Sequence, residues 1–302
     1  MNDREMLIKL LDDNNGYVEK QKAEVLADKL IENGVGFVKS LDNGIFDNLK
    51  MINNNEQNNY SVGLEYAEEN DGSLSIIGFG DCVDEEIIIP SYYFEKPVKN
   101  IANYAFKGCS CKKVIIPDTV VSIEMHAFSS CLNLIEIYLP NSLISIGEEA
   151  FKCCTSLQKL VIPNSVCSIG NYAFNSCSQL KHIELSLSIT TISEGMFRNC
   201  SRLENIEIPQ GVKIIEFRAF ESCKALKSII FPESLMQISN HNFDECPLIS
   251  KALFKNANNW YLTHGVSWQK TEKKVDIRNT SIAAQLLKEF HYLSWEHKNT
   301  KL

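Results

Sequence analysis

The chain has 302 residues, 44% hydrophobic and 23% charged, with 30 Lys and Arg against 38 Asp and Glu and a formal net charge of -8. That balance describes a folded protein and argues against a nucleic-acid footprint, because phosphate binding needs clustered Lys and Arg that release counterions. No apolar run approaches the ~18 residues that span a membrane, and the acidic start Met1-Asn2-Asp3-Arg4-Glu5 lacks the basic-then-apolar pattern of a signal peptide.

In chain order, Met6, Leu7, Leu10 and Leu11 fall at helical spacing within residues 3 to 11, and Asn14-Asn15-Gly16 stops that helix. A second helix is predicted from Val18 to Ile31, closed by Asn33-Gly34 as a C-cap. Two short helices joined by a turn fit a DNA-binding helix-turn-helix or a small helical domain; the acidity of the segment favours the second. Residues 1–52 form this helical N-terminal segment, and the Asn-rich run at 53–60 reads as a polar linker.

From Tyr60 the period changes. Val62-Gly63-Leu64-Glu65-Tyr66 and Leu74-Ser75-Ile76 alternate around Asn70-Asp71-Gly72, which predicts a hairpin cap over residues 61–80. Beyond it Phe106, Phe128, Phe151, Phe174, Phe197, Phe220 and Phe243 recur at intervals of 22 residues once and 23 residues five times, and each is followed three residues later by a cysteine. Repeats at such a period are stacked supersecondary units that cannot bury their apolar face alone.

Within a unit, Glu136-Ile137-Tyr138-Leu139 alternates with the period of two of a half-buried strand. Equivalent inward pairs are Ile87/Ile89, Val114/Ile116, Leu160/Ile162, Ile183/Leu185, Ile206/Ile208 and Ile229/Phe231, and proline follows each pair except at Ser186. Proline has no N–H to continue a ladder, so it ends each strand at a fixed point. A second apolar column runs through Ile123, Ile146, Ile169, Ile192, Ile215 and Ile238, ahead of an Ala-Phe step from which Met196 and Asn242 depart.

These units resemble the BspA-type leucine-rich repeat family, with its pattern Leu-x-x-Ile-x-Ile-Pro-x-Ser-Val-x-x-Ile-Gly-x-x-Ala-Phe-x-x-Cys, from about Leu64 to Cys246. The resemblance implies a leucine-rich repeat solenoid of stacked 23-residue repeats with a parallel β-sheet. The solenoid is expected over 61–250, with 251–302 as a C-terminal cap and helix. Thr119, Ser142, Ser165, Ser188 and Ser234 stand where the general consensus has Asn or Cys, and their hydroxyls are expected to bond to backbone groups in the turn. Ser281 is expected to cap a last helix with Ile282, Leu286, Phe290 and Leu293 on one face.

No residue set forms a credible active site, and no cofactor, catalytic group or metal site is expected. A linear file of cysteines cannot converge tetrahedrally on zinc, and the odd total of eleven reads as free, structural thiols. The histidines share no motif with Ser, Cys or Asp, and His291 and His297 fall on different faces of any common helix. The expected function is instead non-catalytic protein recognition through the concave, outward face of the strand ladder. Its candidate contact residues are Ile88, Ile115, Tyr138, Val161, Glu184, Glu207 and Ile230, four apolar positions spanning ~14 Å at the usual strand spacing before two acids. The file beside it, Glu86, Lys113, Glu136, Lys159, His182, Asn205 and Ser228, reads as cross-strand pairing. The resemblance adds adhesion as a role for exported members. The missing signal pattern and free thiols point to the cytoplasm, where an adaptor using the N-terminal helices is the alternative.

Overall fold

The computed structural model describes residues 60–264 and 271–298. The predicted helices within 1–52 and the linker through residue 59 lie outside the described residues. The remainder is made of very short strands: a repeat contributes three or four residues to one ladder and two to another, with turns between.

The first ladder is built from Glu86–Ile88, Lys113–Ile115, Glu136–Tyr138, Lys159–Val161, His182–Glu184, Asn205–Glu207, Ser228–Phe231 and Lys251–Phe254. All pairing is parallel and in strict register, but hydrogen bonding groups the strands as three, two and three. Glu136–Tyr138 still lies beside Lys159–Val161. The predicted inward residues are in the core, with Ile87 and Val114 fully buried and only Leu139 and Ile183 half-exposed.

The second apolar column forms a parallel ladder of its own. Lys96–Ile101, Ser122–Ile123, Ser145–Ile146 and Ser168–Ile169 pair in order, as do Thr191–Ile192, Ile214–Ile215 and Gln237–Ile238. The predicted hairpin is present as Glu65–Glu68 against Leu74–Gly78, and it extends this second ladder by pairing with Lys96–Ile101. The first ladder's edge is met instead by Ser61, which donates from its N–H to Ile88 O at 2.9 Å and accepts at Oγ from Ile88 N at 3.1 Å. At the other end Gln237–Ile238 pairs antiparallel with Ser294–His297, which continues into Trp260–His264 and Thr271–Val275. Both ends of this ladder are therefore closed, as an unpaired sheet edge requires.

The Ala-Phe step explains its own spacing. The Phe rings are fully buried or nearly so and stack at centroid distances of 5.0 to 5.8 Å with interplanar angles of at most 18°, an offset geometry worth ~0.5–1.5 kcal/mol per pair beyond burial. The peptides of Phe106, Phe128, Phe151, Phe174 and Phe197 are also held at both ends by the following unit. Phe106 N donates to Ala127 O at 2.7 Å, while Cys131 Sγ donates to Phe106 O at 3.0 Å. The thiol bond repeats from Cys154, Cys177, Cys200, Cys223 and Cys246 to the Phe of the unit before. Cysteine is thus a small apolar filler that also supplies one weak donor to a carbonyl sealed from water. In the last unit Asn242 replaces Ala, and its side chain bonds into the preceding turn, accepting from Ala219 N at 2.8 Å and donating to Glu216 O at 2.8 Å.

Two residues in every unit adopt the left-handed conformation, two positions before and two after each Phe. The first column is Tyr104, His126, Glu149, Tyr172, Gly195, Arg218 and His241; the second is Gly108, Ser130, Cys153, Ser176, Asn199, Ser222 and Glu245. Glycine would be the expected residue, yet it stands only at Gly108 and Gly195. At Gly195 it also makes room, since a Cβ there would sit 2.2 Å from the Tyr172 ring.

Of the turn hydroxyls, Thr119, Ser142, Ser188 and Ser234 donate to backbone carbonyls of the preceding unit at 2.6 to 3.1 Å. Ser165 is exposed. Ser186, in place of proline, is buried and donates to Val166 O at 2.6 Å. The C-terminal helix runs Thr280–Glu289 with Asn279, one residue before it, as N-cap: its side chain accepts from Ser281 N and Ile282 N, so Ser281 is not the cap. An Asx side chain two residues upstream satisfies those donors better than a hydroxyl already inside the first turn. The buried face is Ala283, Ala284 and Leu287, with Ile282 half in solvent, because the helix packs on Lys251–Phe254 through its small residues. Trp295 beyond it is fully buried, its ring 6.3 Å from that of Phe254.

Candidate functional site: the outward face of the strand ladder

In a three-residue strand the middle side chain enters the core and the two flanking ones face outward. Register then decides which outward residues meet. Ile88 lies opposite Ile115 and Ile115 opposite Tyr138; Val161 lies opposite Glu184, and Glu207 opposite Ile230. The structure therefore sets all seven candidate residues in one file, with two breaks in ladder pairing, between Tyr138 and Val161 and between Glu184 and Glu207. Tyr138 is 54% and Val161 48% exposed, whereas Ile88, Ile115 and Ile230 are half-buried. Leu253 extends the file opposite Ile230 and is 43% exposed. Sequence reading missed it because Lys255 stands in place of the proline that marks every other strand end but one.

The neighbouring file supplies the electrostatics. Lys113 Nζ lies 2.5 Å from Glu86 Oε1 and 5.6 Å from the Tyr138 ring centroid, and Tyr138 donates its hydroxyl to Glu136 at 3.1 Å. The Glu86 carboxylate holds the Lys113 ammonium above its usual pKa. The expected alternation of pairs is realised at Glu86 and Lys113, but Lys159 turns to Glu184 of the contact file at 3.7 Å. Glu207 pairs with Lys255 at 2.8 Å. Both acids of the contact file thus carry a cationic neighbour, and the uncompensated character of this face is its apolar stretch from Ile88 to Val161. Such exposed pairs contribute little to stability.

The thiols offer no nucleophile in the core. All eleven cysteines are free, and only Cys153 and Cys167 are not buried. Burial pushes the thiols of Cys154, Cys177, Cys200 and Cys223 upward, and that of Cys246 to about 12, away from the thiolate needed for attack or metal binding. His297 lies on a strand and His291 in the turn after the helix, so they share no helix. Sequence reading also did not bring together His241, Asp244 and His291, whose ligating atoms lie within 4.8 Å of one another. The only local signal was the three-residue step from His241 to Asp244; the 47 residues from Asp244 to His291 are bridged by the cap.

Stacked 23-residue units joined by two parallel ladders define a β-solenoid of leucine-rich repeats. The profile of the BspA type leucine rich repeat region matches six copies over residues 99–211 and 193–263. The chain belongs to that family. Among solved structures it is similar to a leucine-rich repeat protein of T. pallidum, with 31% identity over 62% of this chain and 88% of that one and a TM-score of 0.59. A leucine-rich repeat protein from Bacteroides ovatus shares 28% identity over 61% of this chain and 55% of its own, with a TM-score of 0.49. One from Bacteroides capillosus shares 26% over 40% and 93%, with a TM-score of 0.38. No curated protein matches the chain. Membership points to a protein-interaction or adhesion scaffold, and such repeat families are in general non-enzymatic. Among the described residues no helix is long and apolar enough to cross a membrane.

Proposed function

We propose that the chain is a non-catalytic scaffold that holds a protein partner on the outward, concave face of its first strand ladder. The single observation that carries this reading is the file Ile88, Ile115, Tyr138, with Val161 on the neighbouring strand, in which apolar side chains stand on a solvent-facing sheet instead of the polar residues such a face accommodates. Tyr138 adds an aromatic anchor with a hydroxyl, a residue type enriched where partners bind. Glu184 and Glu207 with their lysines form a polar continuation, and Ile230 and Leu253 a second apolar patch. For an exported relative the same face is suited to adhesion.

The test is capture by immobilised full chain against a chain carrying Ile115→Lys and Val161→Lys. The lysines face solvent and desolvate on contact, so a partner held here is expected to be lost from the variant. Recovery of the same partner in equal amount by both chains overturns the assignment.

A further inference from the structure

The last repeat and the C-terminal segment meet at a cluster that the scaffold reading does not use. His241 is the first of the two left-handed residues of the last turn, where Asn242 precedes Phe243; its φ is 59°, and its N–H donates to His291 O at 2.5 Å. His241 Nδ1 lies 2.8 Å from Asp244 Oδ2, and His291 Nδ1 faces the other carboxylate oxygen, Oδ1. Two imidazole nitrogens and a carboxylate therefore converge from three directions, within 4.8 Å of one another. His291 Nδ1 and Asp244 Oδ1 are both sealed from solvent, yet they are not aligned as a hydrogen bond.

We propose that His241, Asp244 and His291 bind a divalent cation of the zinc class. Imidazole and carboxylate together suit zinc and its neighbours in the transition series. Tetrahedral zinc with bonds of about 2.0–2.1 Å sets its donors ~3.4 Å apart. The two Nδ1 to carboxylate approaches already fall within that separation, so only the opening of a gap for the ion is required. The three side chains retain 24 to 34% exposure, which leaves them room to rotate and leaves the remaining coordination position to water. A hollow lined by Lys224, Glu245, Cys246 and Lys288 reaches one of the three ligands, His291.

The competing arrangement is a carboxylate that bridges two histidines with no ion. In the metal-bound form the ion ties the cap, through His291, to the last stacked unit, through His241 and Asp244. Any cation that binds the folded chain alone raises its melting temperature with concentration.

The experiment uses the full chain, stripped with chelator, carrying Cys153→Ser and Cys167→Ser to remove the two thiols that are not buried. Titration with zinc chloride followed by calorimetry and by thermal unfolding is expected to give one equivalent and a rising melting temperature. His291→Gln and Asp244→Asn are each expected to weaken binding by more than about tenfold, since even outer-shell partners of metal ligands cost ~10–100-fold. His182→Gln, on the strand face, is expected to bind as the parent does. Cobalt supplies a readout independent of the variants' stability: coordination by nitrogen and oxygen gives visible bands without a thiolate charge-transfer band. Absence of saturable binding, equal binding by the His291 variant, or a thiolate band each overturns the proposal.

Discussion

The inward and outward side chains of the same strands obey different constraints. Inward, Ile87, Val114, Ile137, Leu160, Ile183, Ile206 and Ile229 are uniformly aliphatic, since each must fill one layer between its neighbours. Outward, the adjacent file runs from isoleucine through tyrosine and valine to glutamate and back. A solenoid dictates only the residues that touch the next unit. The residues it leaves undetermined are where recognition can be encoded.

That contrast can be broken from the inside first. Alkali is expected to have the largest effect. Burial raises the thiol pKa of Cys154, Cys177, Cys200 and Cys223 in the folded chain, whereas in the unfolded chain a thiol ionises near ~8.5. The unfolded state therefore loses protons first as pH rises. Stability is fully present below the unfolded value and is lost above it, by about 1.4 kcal/mol per pH unit for each thiol. Urea unfolding between pH 8 and 9.5 checks this, and Cys177→Ala should flatten the slope; a constant midpoint would count against it.

Next is Phe174→Ala, which removes a fully buried ring stacked at 5.6 and 5.8 Å on both neighbours. A loss of about 3–5 kcal/mol is expected in denaturant titration, together with a second transition if the array comes apart into two stacks. The smallest effect is expected on the outside. Ile115→Lys and Val161→Lys, which should abolish partner capture, should each move stability by no more than about 0.5 kcal/mol. A loss comparable to that of Phe174→Ala would show that these residues serve the fold.

How far the sequence was readable follows the same division. The strand register, the proline stops and the Phe spacing were legible because each is imposed by contact with an identical neighbour. Ile123 and its equivalents were legible as an apolar column, yet their pairing as a second ladder was not, because two-residue strands carry no alternation to detect. The left-handed pairs were nearly invisible, with Tyr104, Glu149, Arg218 and Glu245 placed where glycine would have announced the turn. The C-terminal helix was found with Leu286, Phe290 and Leu293 packed in part on the core, but Ile282 faces solvent while Ala283 and Ala284, less apolar and able to fit closer to Lys251–Phe254, are buried. In the candidate site the seven-residue file followed from register alone. The lysine partners of Glu184 and Glu207 did not, since Lys255 reaches Glu207 across 48 residues.

The column of thiols bonded to Phe carbonyls bears on where such a protein can work. Oxidation begins from an accessible thiolate, and the stacked thiols are neither accessible nor ionised. Side by side though they are, they stay indifferent to the redox poise around them, so the same array can be made in a reducing cytosol and used in an oxidising exterior. The cysteines, which by their number first argued for a reducing compartment, are compatible with either side of a membrane. Only Cys167 at the surface, and Cys153 beside it in exposure, remain to register the difference.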